Sequence, residues 1–343
     1  IARLLFVPKD SRGPRLISAE PLEYQWIQQG LGRKLSDYAE LRSGYRINFR
    51  DQSINRALAF SSSVNQKYAT LDLKDASDRV SVSLVEKVFS QTGITPYLLG
   101  TRSTSTLLPD GRVRALKKFA PMGSALCFPV EAIIFWALSV VAVARQRRGT
   151  TFEAKRLVYV YGDDIIVPTD CADAVVALLE RFALRVNHSK CCIHGHFRES
   201  CGMDAFKGVN VTPIRVRTLW TGRRSDGSAY ASYIALNNQL TTGGYTTASA
   251  YVRDHLRRTY GLIPYGTRFS GYPCYIVEDA DQAMQLNAEL GLASRYNGSL
   301  QRTEWKVWKL KSARAPFTQD GWNRLLRNVT MGAGEDPDHV VVP

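Results

Sequence analysis

Two short apolar runs, residues 157–160 and 165–167, flank the polar tetrapeptide Tyr161-Gly162-Asp163-Asp164. This pattern predicts a strand, a tight turn and a second strand, because Gly162 can adopt turn conformations that other residues avoid. The hairpin would present two adjacent carboxylates at its tip. Asp and Gly also favour turns for purely backbone reasons, so a solvated turn is the alternative interpretation.

The remaining pattern predicts strands and helices without a regular strand–helix–strand rhythm, which favours an α+β fold. Pro109-Asp110-Gly111 indicates a hairpin turn. The residues from Ala313 onward are expected to fray after about Met331. A strand is predicted over 68–73, and helices are predicted over 83–91, 132–145, 172–182 and 279–290.

The composition is that of a folded, basic protein. The chain has 343 residues, 45% of them hydrophobic, which is enough for two or three subdomains. Lys and Arg number 45 against 31 acidic residues, giving a net charge of +14. This excess favours a polyanionic partner such as nucleic acid, although a generally basic globular protein would share it.

Membrane and secretory functions are not expected. The longest apolar stretch, residues 132–144, is too short to span a bilayer, and no secretory signal opens the chain. Because the sequence starts at Ile1 rather than Met, we expect a fragment or a processed product.

The six cysteines show no paired framework, which fits a reducing cytoplasm. Some of them lie close to histidines and are candidate zinc ligands, although their spacing matches no standard zinc finger. The candidates are Cys191, Cys192, His194, His196 and Cys201.

Asp72 ends the predicted strand 68–73 and adds a third carboxylate to the pair in the hairpin. Adjacent carboxylates repel each other unless a cation joins them, and paired divalent metals drive phosphoryl transfer at such sites. If Asp72 lies beside Asp163 and Asp164, the three acids form a two-metal clamp. A turn or helix-flanking role is the alternative for Asp72.

Two further segments have weaker signals. Residues 120–126 form a small-residue loop containing Gly123 and Ser124, which would let a template or nucleotide sugar approach the backbone. Lys9, Arg12 and Arg15 place three cations in seven residues, a set that suits a triphosphate. An ordinary connector and a solvated basic loop are the alternatives.

The order of acidic strand, small-residue loop and Tyr-Gly-Asp-Asp resembles palm motifs A, B and C of RNA-dependent RNA polymerases. The details are similar to the replicases of single-stranded RNA bacteriophages of the levivirus type, over about residues 7–213. The resemblance includes Val7-Pro8-Lys9 with Arg15 (motif F), Met122-Gly123 through Trp136 (motif B) and Phe197 through Gly202 after the palm. Lys74-Asp75, Arg79 and Ser124-Ala125 depart from the phage pattern towards narnavirus-like polymerases.

The resemblance implies a right-hand polymerase with an antiparallel palm sheet, fingers and a partial thumb. Fingers elements with motif F would occupy 1–60, the palm with motifs A–D 61–200 including a fingers insertion at 93–120, and thumb-like structure 201–343. It implies Asp72, Asp163 and Asp164 as ligands of two Mg²⁺ ions, with Mn²⁺ as a substitute. Lys9, Arg12 and Arg15 would bind the NTP triphosphate, and Asp78 with Gly123 and Ser124 would read its sugar.

Lys190 stands where motif D of these polymerases supplies a lysine that protonates the leaving pyrophosphate, with a surface lysine as the alternative. The resemblance also implies an RNA template and product, the cytoplasm of an infected bacterial host, and association with host elongation factors Tu and Ts and a ribosomal protein.

Two rival functions remain. Reverse transcriptases share the palm and the aspartate-pair hairpin, but they usually exclude ribonucleotides with a bulky residue where this chain has Asp78. A non-catalytic RNA-binding protein would explain the basic charge. It would not need Asp72, Asp163 and Asp164 together, because clustered acids oppose binding of a polyanion unless metals mask them.

Overall fold

The computed structural model describes residues 1–10, 13–308 and 310 of the chain. These residues form two compact units, Ile1–Thr212 and a second that begins at Pro213. Each unit has its own buried core. The described residues that were predicted to carry chemistry all lie in the first unit.

The first unit mixes strands and helices. Its strands are β1 (Ala2–Asp10), β2 (Gly13–Ala19), β3 (Tyr68–Leu71), β4 (Leu73–Lys74), β5 (Ser105–Leu107), β6 (Val113–Ala115), β7 (Tyr159–Tyr161), β8 (Asp164–Pro168), β9 (Arg185–Val186), β10 (Phe197–Ser200), β11 (Met203–Phe206) and β12 (Val209–Asn210). Its helices are α1 (Leu22–Ser43), α2 (Ser53–Asn65), α3 (Ala76–Arg79), α4 (Val82–Phe89), α5 (Thr95–Gly100), α6 (Cys127–Gln146), α7 (Thr151–Ala154) and α8 (Ala172–Arg181).

The central sheet is antiparallel, with the strand order β3–β8–β7. β7 and β8 form the predicted hairpin, in which Tyr161 pairs with Asp164 and Gly162 adopts the left-handed conformation at φ +62°. β3 pairs with β8 as far as Leu71 opposite Ile165. The C-terminal end of β3 and the N-terminal end of β8 therefore lie at the same end of the sheet.

The core of the first unit forms where the apolar helix α6 packs against β7, β8 and α8. Val130, Ile134 and Phe135 of α6 have no exposed surface, and neither do Ile165 and Val167 of β8. Burying each such side chain stabilises the fold by about 1.5–3 kcal/mol. An antiparallel sheet supported by helices confirms the predicted α+β class.

Helix α6 is longer than its apolar stretch. Its 20 residues are long and apolar enough to cross a membrane by length and composition alone. However, 72% of the apolar window is buried against the rest of the chain, as in a core helix.

A second sheet has the order β2–β1–β5–β6. β5 and β6 are antiparallel and are joined through the predicted turn Pro109-Asp110-Gly111, where the Leu108 amide donates to the Arg112 carbonyl at 2.9 Å. β1 and β5 are parallel neighbours. Residues from the predicted fingers insertion therefore join the same sheet as the amino-terminal strands.

A third sheet, β10–β11–β12, packs against α2. Arg198 of β10 is completely buried and donates to the carbonyls of Tyr68 at 2.6 Å, Phe197 at 2.7 Å and Gly195 at 2.9 Å. These bonds fix β10 beside β3. β10 and β11 form one hairpin within the first compact unit, which continues to Thr212. The names fingers, palm and thumb remain predictions.

The second unit is built around the helix pair α9 (Gly227–Thr242) and α10 (Thr246–Tyr260). Its core gathers Tyr230, Ile234, Leu256, Tyr260 and Ile263. The other elements are β13 (Tyr265–Gly266), β14 (Tyr275–Ile276), α11 (Ala280–Glu289), β15 (Ser294–Asn297) and β16 (Arg302–Trp305). The helix predicted over 279–290 is confirmed. The residues predicted to fray lie outside the described part of the chain.

The predicted hairpin and the other first-unit helices are also confirmed, with shifted ends. The helix predicted from residue 83 begins at Val82, because Ser81 is its N-cap and accepts from the Leu84 amide at 3.1 Å. The strand predicted over 68–73 is interrupted at Asp72. β3 pairs with β8, whereas β4 pairs with β9.

Candidate active site

Asp72 occupies the point where its strand changes partner, between Leu71 opposite Ile165 and Leu73 opposite Val186. Leu71, the last residue of β3 that pairs with β8, precedes Asp72, and its partner Ile165 follows Asp164. The two aspartates therefore lie at the same end of this strand pair. Asp163 lies one residue before Asp164, in the turn of the hairpin. The fold thus brings together the three carboxylates that the sequence predicted would meet.

The Asp72 carboxylate is held by the segment after β9. Asn187 donates from its side-chain amide to Asp72 Oδ2 at 2.6 Å, and its backbone amide donates to the Asp72 carbonyl at 2.9 Å. The Lys190 ammonium lies 3.9 Å from the same Oδ2. The predicted motif D lysine is therefore at the site, and Asn187, which sequence reasoning missed, binds Asp72 more closely than Lys190 does.

Asp164 is oriented by the turn between β10 and β11. The Cys201 amide donates to Asp164 Oδ2 at 3.1 Å. Cys201 and Gly202 both have positive φ, +50° and +72°, so the turn aims this amide at the carboxylate. Sequence reasoning singled out the 197–202 segment only for its resemblance. A Cys-Gly pair after a strand was the visible turn signal.

The two hairpin acids lack sufficient compensation for their charge. The pKa of Asp164 is raised to about 6, chiefly by burial and then by the charge of the neighbouring Asp163. The pKa of Asp163 is also raised, chiefly by desolvation, with the Asp72 charge adding to the effect. The positive charges of Lys190 and Arg15 lower the pKa of Asp163 and partly offset this rise. The surrounding groups therefore desolvate Asp163 even though part of the residue is exposed at the tip.

The donor set fits hard divalent cations. Carboxylate oxygens are the ligands that Mg²⁺ prefers, and raised pKa values of adjacent acids mark negative charge that a cation would relieve. Within the described residues, no three His, Cys, Asp or Glu side chains are grouped closely enough to enclose a metal ion as they stand. The carboxylate oxygens of the three aspartates would therefore have to move closer together to ligate one. The Cys–His set around residue 191 is likewise not gathered.

The hairpin tip is fixed by aromatic packing. A Cβ atom on Gly162 would lie 2.0 Å from Cε2 of Phe128, so the ring occupies the space that any other residue would need. Phe128 packs edge-on against Phe49 and Tyr161, with centroid distances of 5.8 Å and 5.6 Å. Gly162 therefore serves both the backbone turn and the contact between α6 and the hairpin.

The loop before α6 packs tightly against β2. Gly123 has φ +116°, and a Cβ there would lie 2.3 Å from the Ser18 carbonyl oxygen. The Ser18 amide donates to the Met122 carbonyl at 2.8 Å. The close backbone approach predicted at Gly123 is made by the protein itself.

Ser124 belongs to a buried hydrogen-bond network. Its hydroxyl donates to Oε1 of the fully buried Gln28 at 2.9 Å, and the same Oε1 accepts from the Ala125 amide. Gln28 also donates to the Thr101 carbonyl at 2.7 Å. Contact of Ser124 with a nucleotide sugar would require its hydroxyl to leave Gln28. Nothing in the sequence distinguished Gln28 from its polar neighbours on α1.

The structure describes the side chains of only some of the remaining predicted site residues. Asp78, on α3, forms an ion pair with Lys118 at 2.6 Å. Arg15 lies on β2 with an exposed side chain, and its charge reaches Asp163. Lys9 lies on β1, but its side chain is outside the described part of the structure, as is Arg12.

Glu131 of α6 is a further acid behind the site. It is 6% exposed, and its pKa is raised to about 8, chiefly by burial and to a smaller extent by the charges of Asp163 and Asp78. Glu131 is therefore close enough to both aspartates to feel their charges. A single acid inside an otherwise apolar helix was its signal in the sequence.

Comparison with known proteins agrees with the motif order. Residues 1–222 match the family model described as RNA replicase, beta-chain. The chain is 36% identical over 211 residues to the RNA-directed RNA polymerase subunit beta of Qbeta virus (strain MX1), covering 62% of this chain and 34% of that relative. It is 30% identical over 296 residues to the RNA-directed RNA polymerase beta chain of Escherichia phage MS2. That alignment covers 78% of this chain and 52% of the relative.

Among solved structures, the RNA-dependent RNA polymerase of a human picobirnavirus aligns with a TM-score of 0.49 at 12% identity, over 75% of this chain and 57% of that one. The chain spans about a third to a half of the length of the curated relatives described above. The family model nevertheless covers well over half of this sequence. The chain therefore belongs to the RNA replicase beta-chain family.

Proposed function

We propose that the chain forms the catalytic core of an RNA-directed RNA polymerase that copies single-stranded viral RNA from NTPs. The observation that carries the proposal is the position of Asp72, Asp163 and Asp164 at the same end of the central sheet. A basic chain that only bound RNA would gain nothing from three clustered acids. Membership of the replicase family supports the same function.

Asp72, Asp163 and Asp164 would hold two divalent cations, Mg²⁺ or Mn²⁺. When bound, these ions would activate the primer 3′-hydroxyl and neutralise charge on the triphosphate and the pyrophosphate. Asn187 and the Cys201 amide would orient the ligating carboxylates, since each already donates to one of them.

The cations around the site would act on the nucleotide. Arg15, with Lys9 and Arg12 from the same segment, would bind the triphosphate. Lys190 would donate a proton to the leaving pyrophosphate, a role consistent with its position beside Asp72. Asp78 would accept a hydrogen bond from the ribose 2′-hydroxyl, which deoxynucleotides lack. The Gly123–Ser124 loop would line the sugar site from the side of α6.

The proposed substrates and partners are an RNA template, an RNA product and NTPs, in the cytoplasm of an infected bacterium. The relatives from Qbeta virus and phage MS2 are named as polymerase subunits or chains. Association with elongation factors Tu and Ts and a ribosomal protein remains a prediction of the resemblance. None of the residues described above is assigned to it.

Primer extension with the purified chain tests the proposal. An RNA primer annealed to RNA or DNA templates is incubated with Mg²⁺ and either NTPs or dNTPs, and binding of the primer–template is measured in parallel. We expect extension on the RNA template with NTPs, because Asp78 offers an acceptor for the 2′-hydroxyl.

Each other outcome points to a different function. Preferential use of dNTPs would replace the proposal with reverse transcription. Tight RNA binding by a folded chain that extends no primer under any condition would favour a non-catalytic RNA-binding role.

A further inference from the structure

Lys118 forms an ion pair with Asp78 across two distant segments of the chain. Its ammonium lies 2.6 Å from Asp78 Oδ1, and the side chains are 28% and 46% exposed, respectively. Asp78 belongs to α3, six residues after Asp72, whereas Lys118 follows β6 in the predicted fingers insertion. Within the described residues, the second oxygen, Oδ2, makes no hydrogen bond.

The backbone of Lys118 is fixed from two sides. Residues 80–82 and 117–119 are linked by backbone bonds from Phe119 to Val80 at 2.7 Å and from Val82 to Lys117 at 3.1 Å. On the other side, the buried Arg102 donates to three carbonyls, those of Leu116, Lys118 and Phe119, at 2.7–3.0 Å.

This arrangement exceeds what an ordinary surface ion pair requires. Partly exposed pairs contribute little to stability, and flexible lysines usually lose side-chain entropy when they form them. Here backbone hydrogen bonds fix the 117–119 segment, so the Lys118 side chain starts from a defined position beside Asp78. A rigid support of this kind is what a site needs to hold a reacting or recognising group in place.

We propose that Lys118 is a positioning residue that fixes Asp78 for recognition of the ribose 2′-hydroxyl and thereby sets the preference for NTPs over dNTPs. The inference rests on the proposed polymerase function and deepens it. By occupying Oδ1, Lys118 orients the carboxylate so that Oδ2 is free to accept from the 2′-hydroxyl. Without Lys118, the carboxylate can rotate and its acceptor is no longer directed.

The chemistry explains why the effect falls on selectivity. A site built to hydrogen-bond a substrate hydroxyl discriminates strongly against the analogue that lacks it, because its polar group is then left unpaired. A dNTP makes no bond to Asp78, so loss of Lys118 should affect it little. NTP binding and incorporation should weaken, and the two nucleotides should become more alike.

The test compares Lys118→Met with Lys118→Arg and with the neighbouring Lys117→Met, whose side chain is exposed. Two readouts are taken for each variant: equilibrium binding of ATP and 2′-dATP to the chain with its primer–template, and kcat/KM for incorporation of each. Lys118→Met should lower the ATP preference about tenfold, equivalent to ~1.4 kcal/mol. Lys118→Arg should restore most of it, and Lys117→Met should leave it unchanged.

A double-mutant cycle with Asp78→Asn separates positioning from other roles. Once Asp78 is replaced, Lys118→Met should cause no further loss of preference. The proposal is overturned if Lys118→Met weakens ATP and 2′-dATP equally, which would indicate a phosphate contact, or if the preference is unchanged. Failure of the polymerase function would give a different result, in which the wild-type protein incorporates neither nucleotide. The ratio of ATP affinity to 2′-dATP affinity would still test the role of Lys118 in that case.

Discussion

Replacing Gly162 with alanine should displace the aspartate hairpin. The position has φ +62°, a conformation that L side chains rarely adopt, and the added methyl would lie 2.0–2.9 Å from three atoms of the Phe128 ring. The ring has little freedom to withdraw, since it packs against both Phe49 and Tyr161. The methyl must therefore displace either the ring or the turn that carries Asp163.

Two terms set the size of the effect. The left-handed backbone costs an alanine about 1 kcal/mol. Overpacking adds about 1–3 kcal/mol, through strain or through loss of the aromatic contacts. Gly162→Ala should therefore lower the free energy of unfolding by ~2–4 kcal/mol, a large part of the stability of an ordinary domain.

Gly93→Ala is the matched control, because Gly93 has a similar φ of +66° and a Cβ at that position would meet no other atom within 4 Å. Urea denaturation followed by circular dichroism should show a loss of about 1 kcal/mol for Gly93→Ala and a clearly larger loss for Gly162→Ala. In a Phe128→Ala background the ring is gone, so Gly162→Ala should cost only the backbone term. Equal losses for the two alanine variants, or additivity of Gly162→Ala and Phe128→Ala, would refute the clash.

Further predictions concern buried charge. The pKa of Glu131 is about 8 in the folded chain, above its ordinary value of 4.5, so the folded state binds more protons and stability should fall as pH rises from about 4.5 to 8. Glu131→Gln should remove this decrease in the free energy of unfolding, which is on the order of 2–4 kcal/mol over that pH range. If the variant loses as much stability with pH as the wild type, Glu131 is not the source of the decrease. Arg198→Met should lower the free energy of unfolding in urea by ~2–4 kcal/mol, because it removes the donor that a completely buried guanidinium supplies to the carbonyls of Tyr68, Gly195 and Phe197. A loss below about 1 kcal/mol would contradict that role.

Local sequence patterns were sufficient to predict the hairpin that carries Asp163 and Asp164. Short apolar runs and a glycine turn act over a few positions, so the tip could be located without tertiary information. The apolar α6 was predictable for the same reason. Its true start at Cys127 was missed, because Pro129 and Glu131 interrupt the apolar run near its beginning.

The partners of the carboxylates could not be predicted in this way. Asn187 reaches Asp72 because β4 leaves the central sheet and pairs with β9, and the register of such distant pairing is not encoded in a local pattern. The amide of Cys201 reaches Asp164 for a similar tertiary reason. Ser124 carried a plausible sugar-binding signal, yet a buried glutamine from α1 binds its hydroxyl.

Nucleotide incorporation by Asp→Asn variants tests the central claim most directly. Asp72→Asn, Asp163→Asn and Asp164→Asn keep the side-chain shape and remove one charge, while Asp75→Asn changes an exposed acid outside the carboxylate cluster. Each of the three site variants should reduce single-nucleotide incorporation at least about a thousandfold, or ~4 kcal/mol of transition-state stabilisation, with RNA binding retained. Asp75→Asn should retain activity. Incorporation within about tenfold of wild type in any of the three site variants would contradict the proposed metal-binding clamp.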